Sequence, residues 1–70
     1  MFSTRQYDEL ERAVRDGRRV SITRRGTEYL VIPLTIGMRS GKEAIEARNP
    51  TTGDQLLIFI DDIEDFSVVR

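Results

Sequence analysis

Apolar residues recur every three or four positions at the start of the chain and mostly every second position after residue 17. Tyr7, Leu10 and Val14 form one stripe, widened by Ala13, which predicts an amphipathic helix over about 4–16. Ser3 is placed to cap it. Gln6, three residues on, completes a capping box, and Phe2 and Tyr7 fall at the two positions of a hydrophobic staple. Gly17 follows as the left-handed terminator.

The two-residue rhythm then predicts five short strands, over about 19–25, 27–36, 42–48, 55–60 and 66–70. In the first, Val20 and Ile22 alternate with Arg19, Ser21 and Thr23, and Arg25-Gly26 makes a tight turn into the second. The second places Leu30, Ile32, Leu34 and Ile36 on one face and Tyr29 and Val31 on the other, so both faces need cover. Pro33 cannot donate to a ladder, which predicts a bulge or an edge at that point. Gly37 to Gly41 reads as a flexible connection, and Asn49-Pro50-Thr51-Thr52-Gly53-Asp54 as a turn. The fourth strand is apolar on both faces, and Asp61 to Asp65 predicts a short helical turn. The fold class is therefore mainly β with one N-terminal α-helix. The element order is that of a small five-stranded β-barrel of the Sm-like/SH3-like kind, whose closure would remove aggregation-prone edges.

Seventy residues make a single domain, 1–70, which buries only about 60% of its unfolded surface. At ~0.05–0.15 kcal/mol per residue, its stability is roughly 3–10 kcal/mol. Self-association into a homodimer would add apolar contact to so small a core. There is no cysteine, which excludes disulfides and thiolate–metal staples. No apolar run approaches the ~20 residues that span a bilayer, and Met1 to Arg5 lacks the apolar stretch of a signal peptide. A cytoplasmic protein without a membrane partner is the expectation. The net charge of −1 hides an asymmetry: residues 1–42 carry nine basic and five acidic side chains, residues 43–70 two basic and seven acidic. Such a split marks a basic binding face, or two regions that attract each other within or between copies.

The usual catalytic chemistry is absent. Without histidine or cysteine the chain has no ordinary general base near neutral pH and no thiolate nucleophile. Its one lysine, Lys42, stands beside a glycine-rich loop. That loop, Gly37 to Glu43, fails as a phosphate-binding motif: three residues instead of four separate its glycines, and Glu43 follows the lysine. Asp61, Asp62, Glu64 and Asp65 offer oxygen ligands, but their spacing does not match a calcium loop, and a solvated turn is the better reading. No enzyme activity, no cofactor and no metal site are expected. The best binding candidates are Arg18, Arg19, Arg24 and Arg25, since guanidinium forks recognise phosphates and carboxylates. The five aromatic residues are mostly needed by the staple and core, so a stacking platform for single-stranded nucleic acid is weak.

From Leu10 to Val69 the chain resembles WYL domains, small bacterial barrels of the Sm-like/SH3-like kind. The resemblance rests on Ala13-Val14, Gly17-Arg18-Arg19-Val20, Arg25-Gly26, Pro33-Leu34, Asn49-Pro50 with Gly53, and Ile60-Asp61 with Ile63. It implies a regulatory role in sensing ligands or nucleic acid. Where that family carries its Trp-Tyr-Leu signature this chain has Glu43-Ala44-Ile45. Phe59 and Asp62 stand where it tends to carry arginines, so the chain resembles a degenerate relative. Leu10 to Leu34 is also similar to prevent-host-death type antitoxins, small DNA-binding dimers that neutralise a toxin. The Sm proteins' RNA-contacting loop residues are not found. The expectation is a non-enzymatic interaction module of WYL-like fold, binding an anionic ligand or nucleic acid in a regulatory role. The alternatives are an antitoxin-like DNA-binding regulator and a purely protein–protein adaptor.

Overall fold

The computed structural model describes residues 2–69 and has one helix followed by five strands. The helix α1 spans Thr4–Asp16. Ser3 and Gln6 form the reciprocal capping box, and Gly17 ends the helix in the left-handed region at φ 68°. The rings of Phe2 and Tyr7 meet edge to face at 5.1 Å, closing the staple. Phe2 also packs on Phe66 at 5.3 Å, so the chain's start is tied to its last strand.

The strands are β1 (Val20–Arg24), β2 (Thr27–Arg39), β3 (Lys42–Arg48), β4 (Gln55–Phe59) and β5 (Asp65–Val68). A single 3-10 turn, Ile60–Asp62, links the last two. They form one open antiparallel sheet in the order β4-β3-β2-β1-β5. Among the described residues no ladder joins β4 to β5. The expected end of the last strand at Arg70 lies outside the described residues.

β2 differs most from the sequence expectation. It runs to Arg39, three residues past the expected end at Ile36, and Gly37 to Arg39 pair with β3 instead of forming a flexible connection. The reversal is a two-residue turn in which Ser40 (φ 53°) and Gly41 (φ 78°) are both left-handed. Arg25 (φ 52°) and Gly26 (φ 77°) repeat that geometry between β1 and β2. Two left-handed residues twist the chain in the sense its flanking strands require, so both hairpins close tightly.

The bulge expected at Pro33 is present, between Pro33 and Thr35. It reverses the alternation of β2. Before it, Val31 and Pro33 point inward and are buried while Leu30 is exposed. After it, Leu34 and Thr35 are both exposed and Ile36 packs against the core. Leu30, Ile32, Leu34 and Ile36 therefore do not share one face, as strict alternation implies, because one unmatched residue shifts the register. The inner surface collects Val20, Ile22, Val31, Ile45, Ala47, Ile58, Ile60 and Phe66, with Leu10 and Ala13 of α1 laid over it.

This parity is testable by urea denaturation. Ile36→Thr places a hydroxyl against the core and should cost about 1–2 kcal/mol. Leu34→Thr should stay within about 0.5 kcal/mol of the parent. Equal losses at both positions would contradict the reversal.

Candidate functional site

The four arginines singled out by sequence do not meet at one place. Arg18 and Arg19 precede β1, Arg24 ends it and Arg25 follows in the turn, which sets the two pairs about 16 Å apart at the rise of an extended strand. Arg18, Arg19 and Arg25 are exposed, whereas Arg24 is half-buried and engaged. Its guanidinium lies 5.0 Å from the centre of the Tyr29 ring, and its Nη1 donates to the Leu57 carbonyl at 3.3 Å. Arg25 sits in the left-handed first position of its turn.

Arg18 has company that the sequence reading missed. With Arg12 it lines a cleft of about 170 Å³ beside the last turns of α1, together with Glu9, Ala13, Asp16 and Val68. Ala13 supplies an apolar floor because it belongs to the buried stripe of the helix. Glu9, Arg12 and Asp16 recur at three- and four-residue steps, a second helical stripe flanking the apolar one, and that spacing was the available signal. Among the described residues Arg12 and Arg18 make no ion pair. Cations here also complement the carbonyl-rich end of α1.

The acidic turn turns inward on the chain's own backbone. The Glu64 carboxylate accepts from the Gly26 amide at 3.1 Å, and the Asp65 carboxylate accepts from the Phe66 amide at 2.9 Å. Part of the charge asymmetry is thereby explained, since the acidic segment sits against the basic β1–β2 turn. Among the described residues no three acidic side chains come together in a position to hold a metal ion. None of their helices is long and apolar enough to cross a membrane.

Glu43 fastens α1 to the sheet. The Tyr7 hydroxyl donates to its carboxylate at 2.5 Å. Ala44 and Ile45, next along β3, are buried. The Tyr7 phenol is pushed up from its ordinary value of 10 to about 12, first by that hydrogen bond, then by desolvation, and then by the charges of Glu43 and Asp61. On the opposite surface of the sheet, Arg39 pairs with Glu46 across Gly37.

Comparison with protein-family models, with curated proteins and with solved structures finds no match for the chain.

A raised phenol pKa means that the fold favours the neutral ring. Its contribution is complete below pH 10 and is lost as pH rises through about 12. In an absorbance titration of ionised tyrosine, Tyr7 should titrate near pH 12, and Tyr7→Phe should remove that late phase. Glu43→Gln should move it toward the ordinary range. A late phase that survives Tyr7→Phe would place the shift elsewhere.

Proposed function

We propose that the chain is a non-enzymatic interaction module of WYL-like architecture, a small barrel of the Sm-like/SH3-like kind, that takes an anionic group beside the end of α1. The strand order supports the barrel reading. So do the bulged β2 shared between both halves of the sheet and the 3-10 turn before β5. The barrel is partly open between β1 and β4, where Arg24 reaches across with a side chain in place of a ladder.

The observation that carries the binding role is the pair Arg12 and Arg18 at one small cleft, unpaired among the described residues. Two guanidiniums can hold one phosphate or carboxylate through charge-assisted hydrogen bonds. The cleft offers such a group two guanidiniums, while no aromatic ring lines it on which a base could stack. Nucleic acid would therefore be held by its backbone, which positions a chain without reading its sequence. Glu9 and Asp16 formally balance the two arginines of the lining, but Asp16 is paired with Arg15, and Arg19, adjacent in sequence, adds a further positive charge. Arg25, at the far end of β1, stays outside this contact. An adaptor role has one observation in its favour: Leu30 and Leu34 are 45% and 36% exposed along the outer side of β2.

Labelled RNA and DNA titrated at two salt concentrations test the binding role. One neutralised phosphate should weaken binding about three- to fourfold between ~50 and ~200 mM salt, because the contact releases counterions. Arg12→Gln and Arg18→Gln should each lower the low-salt affinity several-fold, with Arg25→Gln nearly silent. No binding at low salt, or binding indifferent to salt, removes the nucleic-acid role. Inorganic phosphate, followed by the chemical shifts of the Arg12 and Arg18 side chains, separates a small-anion site from no site.

A further inference from the structure

The open sheet has two free edges, and the pairing pattern fixes which backbone groups face outward on each. In the β2–β3 hairpin the two-residue turn makes Arg39 and Lys42 a hydrogen-bonded pair. Pairs alternate from there in an antiparallel ladder, so Ala44 and Glu46 direct their amides and carbonyls to β2. Ile45 and Ala47 direct theirs to β4, meeting Ile58 and Leu56. Leu57, opposite Glu46, then points its amide and carbonyl away from the sheet, at the centre of the β4 edge.

That outward carbonyl is the one Arg24 holds. The guanidinium is kept in place by the face and hydroxyl of Tyr29, at 5.0 Å from the ring centre and 3.5 Å from the oxygen. β5 follows the same plan: the Arg19–Val69 backbone bond sets its alternation, the backbone amide of Phe66 points away from the sheet while its ring is in the core, and that amide is taken by the Asp65 carboxylate. β4 needs such cover more. Gln55 to Phe59 has no charge and no proline, and Leu57 is 41% exposed. An uncharged, apolar edge strand is a template for another strand.

We propose that Arg24 is an edge guard: by holding the Leu57 carbonyl it keeps β4 from pairing with β4 of a second copy. An identical strand is the fitting occupant, because a two-fold axis at Leu57 sets two uncharged, self-complementary segments antiparallel. It also sets the two Leu57 side chains opposite each other, in direct contact range.

Sedimentation velocity over a range of concentrations, with amide exchange of Leu57 and Phe59, tests this. Arg24→Met keeps the aliphatic stem against Tyr29 and removes the donor. It should tighten self-association about a hundredfold, because each of the two copies gives up one guarding hydrogen bond worth about tenfold. The same variant should gain protection at both amides. Adding Leu57→Lys should reverse both effects, since like charges would then face each other. Should Arg24→Met fail to fold, Tyr29→Leu frees the same guanidinium and is read in the same way. Unchanged mass and exchange in the guard variant would overturn the proposal. So would association that Leu57→Lys leaves intact, or a parent protein already protected at these amides.

Discussion

Leu34 is the residue that β3 cannot match, and the rest of the molecule is arranged around that surplus. β2 pairs with β1 through its first five residues and with β3 through the remainder. A strand of thirteen residues that kept one parity would need a single broad sheet, with an apolar face too wide for one short helix. The extra residue bends the strand and exchanges its faces. Val31 and Ile36, five positions apart, thereby both contribute to one core. α1 then needs to bring only Leu10 and Ala13 fully inside. Pro33 suits the place, being buried where the ladder is already broken and needing no donor of its own.

Leaving the sheet open creates a second obligation, which polar side chains meet. Each edge exposes backbone groups that a further strand could use, and a domain this small has few loops to lay over them. The basic and acidic residues nearest the edges are spent locally. Arg24 serves a carbonyl of β4, Asp65 an amide of β5, and Glu64 the amide at the β1–β2 turn. The charge asymmetry along the chain thus becomes short-range complementarity between backbone and side chain. Where the same charges lie beyond that reach, as at Arg12 and Arg18, they remain free to meet another molecule.

Much of this was legible in the residues. The helix could be read to its ends because its signals are local: cap, box, staple and terminating glycine all act within a few residues. The strands and the bulge at Pro33 followed from alternation and from one missing donor. The length of β2 did not, because Gly37-Met38-Arg39-Ser40-Gly41 has loop composition. What settles it is Ser40 accepting a left-handed φ, a choice forced by pairing and not by propensity. The site was less legible still. Arg18 and Arg24 look equivalent in sequence, each an arginine at an end of β1. They part company because Tyr29 and Leu57, five and 33 residues from Arg24, come to its side.

The partition among the arginines follows from burial and partners more than from charge. A guanidinium that is half-buried, stacked on a ring and bonded to a carbonyl must give up both contacts before it can reach a ligand. A ligand at Arg24 would therefore compete with the fold. Arg12 and Arg18 carry no such obligation among the described residues, and their cleft is lined also by Ala13 of α1 and Val68 of β5, which pack against the core. Preorganised groups bind at lower entropic cost than groups that must first be released. Position alone cannot rank four arginines gathered at the two ends of one short strand, but what each already touches can.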